Sequence, residues 1–215
     1  MYGNKNPKGW ELAKTNRDYP EAGGRIQTPV PRGEAAVSYH FRVADTRELE
    51  EIMPVYSEVN ENRVGFDAKF DFIVGVWFEG AWVTKNQDLG IYKNQQIINV
   101  GTDYTFGIGS GLYMVFEQLF ASYGEKAFSY SNSTTFSLMS LSYPISVFDN
   151  ISAIFYFDWT SSSLYNFINW QKQFDNITLY VMGYWNPDNY EIPLQDDFQN
   201  LYGGIGIQIM FVYNH

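Results

Sequence analysis

Apolar and polar residues alternate one by one along most of the chain, the pattern of strands whose two faces meet different surroundings. Residues 35–43 carry apolar side chains at every odd position, while Ser38, His40 and Arg42 occupy even positions. Near the C-terminus the alternation returns, with Ile205 and Ile207 in the apolar set. The 3.6-residue period of a helix fits almost none of the chain. The pattern therefore predicts an all-β fold.

The alternation predicts about ten strands. Residues 61–83 form an apolar-rich stretch that is about twice as long as a tilted membrane strand, so we divide it at a hairpin turn over residues 69–71. The predicted strands cover residues 34–44, 61–68, 72–83, 96–108, 112–122, 133–143, 151–159, 164–172, 177–185 and 199–213.

Two of these segments repeat each other. Phe148 and Phe174 each open a Phe-Asp-Asn-Ile sequence, and Trp159 and Trp185 follow at the same distance. Between the polar turn and the Trp, a strand tilted by about 40° rises roughly 23 Å, and the apolar band of a membrane barrel is about 25 Å tall. The repeat thus matches a membrane span with an aromatic residue at one edge. We assign the aromatic girdle to Trp82, Trp159 and Trp185.

The predicted connections alternate in length. Short turns cover residues 69–71, 109–111, 144–150 and 173–176. Long polar loops cover residues 45–60, 84–95, 123–132 and 186–198, and residues 160–163 form a short exception on the loop side. Short turns on one side and long loops on the other are typical of up-and-down barrels in outer membranes.

The composition indicates a surface at the boundary between apolar matter and water, and it argues against nucleic acid as a partner. Aromatic residues make up 19% of the chain although its mean hydropathy is −0.28, and Tyr and Trp rings favour the edge between apolar matter and water. The net charge of −10 argues against a nucleic-acid partner, since phosphate binding needs a basic surface. The chain has no cysteine, which excludes disulfides and cysteine-based metal sites.

With these features, residues 34–215 resemble Gram-negative outer-membrane β-barrel proteins of the porin type. The most specific element is the terminal strand, "GIGIQIMFVY", although such proteins commonly end on an aromatic residue and here Asn214 and His215 follow Tyr213. The resemblance implies a transmembrane antiparallel up-and-down β-barrel in the bacterial outer membrane, in contact with its lipid. It also implies porin-like passive transport or uptake of small polar solutes, without a cofactor.

The N-terminal segment, residues 1–33, precedes the predicted barrel region of residues 34–215. Residues 24–27 fit the end of an earlier strand, followed by a proline-rich turn. That strand would raise the count to eleven, whereas single-chain bacterial barrels have an even number. We therefore expect the sequence to be the C-terminal part of a longer chain. The alternative is a complete ten-stranded barrel with a loose N-terminal tail.

Strand parity nominates the residues that face a lumen. An Arg or Lys facing lipid near the middle of a bilayer costs about 2–4 kcal/mol, which fixes the orientation of the strands that hold Arg42 and Arg63. Strands 133–143 and 164–172 are mixed on both faces and stay unoriented. The predicted lumen residues are His40, Arg42, Arg63, Asp67, Lys69, Glu79, Asp103, Glu117 and Asp158.

Two alternatives remain open at the level of sequence. In the first, the inward charges pair across a closed lumen, and the plugged barrel acts as a membrane anchor or a surface-interaction protein. In the second, the chain is a soluble ligand-binding barrel of the lipocalin type, whose apolar residues line the inside. An enzyme is not expected, because the two histidines, His40 and His215, lack an evident orienting partner.

Overall fold

The computed structural model describes residues 7, 11–188 and 202–213, and these form twelve β-strands and two short 3-10 helices. Among the described residues, no helix is long and apolar enough to cross a membrane. The 3-10 helices are Arg47–Leu49 and Gly90–Tyr92. The strands are β1 Lys14–Thr15, β2 Ala22–Val30, β3 Gly33–Asp45, β4 Val59–Asp71, β5 Gly75–Lys85, β6 Asn94–Phe106, β7 Leu112–Gly124, β8 Asn132–Pro144, β9 Asp149–Asp158, β10 Ser163–Gln173, β11 Ile177–Trp185 and β12 Ile205–Tyr213.

The strands form one antiparallel up-and-down sheet in which each strand from β3 to β11 pairs with the next along the chain. Both β1 and β2 pair with β3, β1 at residues 44–45 and β2 at residues 33–41. They therefore act as one edge strand that residues 16–21 interrupt. The prediction of an all-β, antiparallel up-and-down sheet is confirmed.

Within this sheet the contacts divide into two compact units. The first comprises Met1–Phe72, Val76–Val100 and Leu119–Thr134, and it contains β1 to β4 with most of β5. The second comprises Ile73–Gly75, Gly101–Gln118 and Thr135–His215, and it contains most of β8 with β9 to β12.

Three predicted boundaries need correction. The N-terminal segment carries the strand β2 over Ala22–Val30, which is longer than the predicted strand end at residues 24–27. The hairpin turn placed at residues 69–71 lies at residues 72–74, because β4 continues to Asp71. That turn consists of Phe72, Ile73 and Val74, so it lacks the polar residues that mark turns in a sequence. The last strand begins at Ile205, since residues 202–204 form a turn, and the predicted start at residues 199–201 lies outside the described residues.

In the first unit, the strand register separates an apolar from a polar face. Ile26, Val37 and Phe66 are directly paired across β2, β3 and β4, and all three side chains are exposed. One step along, the opposite face carries Gln27, Ala36 and Asp67 in the same register. Successive side chains of a strand point to opposite faces, so the alternation of the sequence becomes two chemically distinct surfaces.

The second unit shows the same separation across five strands. The register also orients the two strands that sequence parity left open, β8 and β10, because cross-strand partners share a face. One row of partners on the apolar face is Tyr143, Ile151, Trp170, Val181 and Ile209. The adjacent row on the polar face is Ser142, Ser152, Asn169, Met182 and Gln208.

Gly33 of β3 packs closely against the backbone of β4. A Cβ atom at this position would collide with the backbone carbonyl oxygen of Lys69, whereas a Cβ at Gly24 of the neighbouring β2 would meet nothing within 4 Å. We expect Gly33→Ala to lower the free energy of unfolding by about 2 kcal/mol or more, since backbone must move to accept it. Gly24→Ala serves as the control and is expected to be close to neutral.

Urea unfolding of the two variants measures the difference. Equal stability of Gly33→Ala and Gly24→Ala would show that β3 and β4 do not pair in this register.

Candidate functional site

Seven ionisable side chains of the first unit come together on its polar face, and we name them the charged cluster. Its centre is the pair Arg42 and Glu61, which lie opposite each other in the β3–β4 register. Both sit near the strand ends that lead into the long loops. The members of the charged cluster are Glu11, Glu21, His40, Arg42, Glu61, Arg63 and Lys85.

Arg42 and Glu61 form a buried two-point ion pair. Arg42 Nε donates to Glu61 Oε1 at 2.7 Å, and Arg42 Nη2 donates to Glu61 Oε2 at 3.1 Å. Their side chains are only 1% and 3% exposed, respectively. Lys85 Nζ lies 3.9 Å from Glu61 Oε2 and is buried too. Buried charges are tolerated only when paired and hydrogen-bonded, so these three side chains depend on one another.

The N-terminal segment before β2 supplies two carboxylates to the charged cluster. Glu11 reaches both guanidinium groups, with Oε2 at 3.2 Å from Arg42 Nη1 and Oε1 at 3.3 Å from Arg63 Nη2. Glu21 Oε2 lies 3.4 Å from His40 Nε2, and Glu21 Oε1 accepts a hydrogen bond from Thr15 Oγ1. The segment therefore covers part of the charged face of β3 and β4.

Beyond the charged cluster, the long loops form a small apolar core. Ala44 and Val59, two residues along from Arg42 and Glu61, are paired in register and fully buried. The buried members of this loop core are Ala13, Ala44, Met53, Val59 and Leu89. Because the N-terminal segment supplies Ala13, this apolar packing holds Glu11 close to the charged cluster.

Polar contacts fix the same loops. A hydrogen bond with Glu58 raises the pKa of the exposed Tyr19 hydroxyl above its ordinary value, and this bond joins the N-terminal segment to the loop after β3. In that loop, hydrogen bonding to Asp45 raises the pKa of the exposed Arg47. The Thr46 hydroxyl also donates to the Pro54 carbonyl at 2.9 Å, which closes the loop over residues 46–54.

The other predicted lumen residues of the first unit lie further along the polar face. Asp67 accepts a hydrogen bond from Arg25 Nη2 at 2.6 Å, and both side chains are substantially exposed. Lys69 is exposed and shares its face with Asp67 by strand alternation. Glu79 is exposed and, six positions before Lys85 on β5, falls on the face of the charged cluster.

In the second unit, three predicted lumen residues have different surroundings. Asp103 lies against Gly75, where an added Cβ would come within 2.6 Å of the Asp103 Oδ1 atom. Glu117 and its neighbour Gln118 lie on β7, and strand alternation puts their side chains on opposite faces of the sheet. Asp158 is buried and accepts hydrogen bonds from Thr160 N and the Ser161 hydroxyl, so it stabilises the turn between β9 and β10.

The predicted girdle residues also differ from one another. Trp159 and Trp185 are exposed at the same end of β9 and β11, and Trp159 Nε1 donates to the Ser137 hydroxyl at 2.8 Å. In the first unit, the Trp82 ring instead stacks on Phe128 at 5.8 Å, and its Nε1 is buried without a hydrogen-bond partner among the described residues. Trp82 is therefore covered by the loop between β7 and β8, unlike an exposed girdle residue.

Four members of the charged cluster are absent from the sequence-based set. Glu61 and Lys85 share strand parity with the predicted Arg63 and Glu79, so the same parity rule extends to them. Glu11 and Glu21 precede the predicted barrel region, and only tertiary contacts bring them to Arg42 and His40. Of the two histidines, His40 belongs to the cluster, and His215 lies outside the described residues.

The buried ion pair generates a stability prediction with a matched control. Glu61→Gln should lower the free energy of unfolding by about 3–5 kcal/mol, since Lys85 would stay buried without its countercharge and Arg42 would keep only the longer contact with Glu11. Asp67→Asn removes the carboxylate from the exposed Arg25 pair and should cost about 1 kcal/mol or less. Urea titration of both variants gives the two values. Similar losses would contradict the burial of the Arg42–Glu61 pair.

Comparison with known proteins gives no relative from which a function could be taken: no protein-family model, no curated protein and no solved structure matches this chain. Across residues 11–188 and 202–213, no group of three or more metal-ligating side chains has the arrangement of a metal site. The function must therefore be inferred from the two faces of the sheet and from the charged cluster.

Proposed function

We propose that the chain spans the bacterial outer membrane as a β-barrel and mediates porin-like passive transport or uptake of small polar solutes. In this arrangement the apolar faces of the two units contact lipid, and the polar faces line a lumen. The observation that carries the proposal is the register, which collects exposed apolar side chains on one face and charged side chains on the other.

The exposed apolar surface supports a membrane over an aqueous environment. In β12 alone, Ile205, Ile207 and Phe211 are 88%, 75% and 71% exposed on the apolar face. A soluble monomer rarely exposes so large a continuous apolar patch, whereas a lipid-facing strand requires one. The same observation disfavours the lipocalin-type alternative, in which these side chains would line a dry interior.

Closure of the sheet is part of the proposal. The edge strand made of β1 and β2, together with β3 to β12, gives eleven strands in the described residues. Single-chain bacterial barrels usually have an even number, and closure removes the exposed hydrogen-bonding groups of sheet edges. An even barrel therefore requires at least one strand beyond those described.

A plugged barrel that acts as a membrane anchor or surface-interaction protein is the second candidate. It is favoured by the N-terminal segment, whose Glu11 and Glu21 pair with charges of the polar face. The loop core beyond the charged cluster adds apolar packing at the same strand ends. In this candidate the charges neutralise one another and hold the segment, and no solute passes.

The orientation of the faces is testable at two adjacent residues of β12. Ile207→Arg places a cation on the apolar face and should lower the free energy of unfolding in lipid vesicles by about 2–4 kcal/mol. Gln208→Arg places the same cation at the same depth on the polar face and should cost about 1 kcal/mol or less. If Ile207→Arg leaves the stability in vesicles unchanged, the apolar face does not contact lipid.

Transport is tested separately by reconstituting the purified full chain into planar bilayers. The porin-like function predicts stepwise increases in ionic conductance when the chain inserts. Stable insertion without conductance steps would reject transport and would support the plugged barrel, because the Ile207→Arg result would still hold.

A further inference from the structure

We propose that Arg42 and Arg63 form a binding site for a carboxylate-bearing solute, and that the chain's own Glu11 occupies this site in the structure. This inference rests on the proposed function, because it takes the ligand to be a solute that enters the lumen. It names the chemical class of that solute and the residues that recognise it.

The geometry at Glu11 is that of a bound carboxylate. Its two oxygen atoms face two different guanidinium groups, Oε2 toward Arg42 Nη1 at 3.2 Å and Oε1 toward Arg63 Nη2 at 3.3 Å. Guanidinium groups present planar N–H donors that match carboxylate oxygens. A free carboxylate in the position of the Glu11 side chain would make the same two contacts.

At the charged cluster, the strands β3, β4 and β5 carry more positive than negative charge. They contribute three cations to the charged cluster, Arg42, Arg63 and Lys85, and only one carboxylate, Glu61. The N-terminal segment then supplies Glu11 and Glu21, which balance the remaining charge. Because the strands alone are locally cationic, they require an anion even though the whole chain has a net charge of −10.

Glu11 is the exchangeable carboxylate of the cluster. Its side chain is 17% exposed, compared with 3% for Glu61. The contacts that Glu11 makes with Arg42 and Arg63, at 3.2 and 3.3 Å, are also longer than the 2.7 Å bond between Arg42 and Glu61, and charge-assisted hydrogen bonds weaken as they lengthen. A competing solute would therefore displace Glu11 and leave the Arg42–Glu61 pair in place.

Arg63 retains hydrogen-bonding capacity for a ligand. Its Nη2 atom contacts Glu11 and Glu61 only at 3.3 and 3.4 Å, and its Nε atom is buried without a hydrogen-bond partner in the described part of the chain. A buried donor without a partner carries a desolvation cost that a suitably placed acceptor removes. An incoming carboxylate can thus satisfy Arg63 more fully than Glu11 does.

Acetate is the probe, and the test uses the full chain in detergent micelles at constant ionic strength. The Nε–H resonance of Arg63 is followed by NMR as sodium acetate replaces sodium chloride. In the wild type, Glu11 competes at an effective concentration well above the roughly millimolar value of a short flexible linker, because Ala13 packs in the loop core and holds the segment in place. We expect Glu11→Ala to bind acetate at least about tenfold more tightly than the wild type, since the competing group is gone.

Two further variants distinguish acetate binding between Arg42 and Arg63 from nonspecific attraction of acetate to any arginine. Glu11→Ala combined with Arg63→Met should lose acetate binding, followed at the Arg42 Nε–H resonance. Asp67→Ala also deprives an arginine of its carboxylate, here the exposed Arg25, and should bind no acetate at Arg25, because among the described residues no second guanidinium contacts Asp67. If Glu11→Ala does not fold, Glu11→Gln removes the same charge and should show the same direction of change.

Equal acetate affinity in the wild type and in Glu11→Ala would overturn the proposal, as would acetate binding at Arg25 in Asp67→Ala that is as tight as binding at Arg42 and Arg63 in Glu11→Ala. The titration needs no bilayer, so its failure is distinct from failure of transport. Acetate binding without conductance would leave the carboxylate site intact and reject only the porin-like function.

Discussion

The strand register is the constraint on which the rest of this structure depends. Side chains alternate between the two faces of a strand, so a slip of one residue between β3 and β4 would move Val37 to the polar face and Arg42 to the apolar face. The buried Arg42–Glu61 pair resists such a slip, because either partner alone would leave an uncompensated buried charge. The same ladder therefore sets both the apolar surface and the charged cluster.

The charged cluster joins the N-terminal segment, at the edge of the sheet, to charged side chains of β3, β4 and β5. Residues 16–21 interrupt the edge strand opposite residues 42–43 of β3, and this interruption allows Glu21 to reach His40. On the other side of β1, Ala13 joins the loop core and holds Glu11 beside Arg42 and Arg63. An N-terminal segment that looks like a tail in the sequence thus completes the charge balance of the polar face.

The two candidate functions differ in how permanent that charge balance is. If Glu11 exchanges with solutes, the cluster selects carboxylates at one place in the proposed lumen, where the other predicted residues are mostly acidic. If Glu11 is held permanently, the cluster fastens a plug, and the barrel serves as an anchor. The lengths of the Glu11 contacts, compared with the shorter Arg42–Glu61 bond, favour exchange.

The sequence by itself determined the all-β class, the strand alternation and the face shared by His40, Arg42, Arg63 and Asp67, because a period of two is a local property of extended backbone. It misplaced the turn at residues 72–74, whose apolar residues give no turn signal. Only the tertiary structure paired Glu11 with Arg42 and Arg63, oriented β8 and β10, and engaged Asp158 in a turn. These features depend on which strands become neighbours and on contacts between residues far apart in sequence, and no local pattern encodes them.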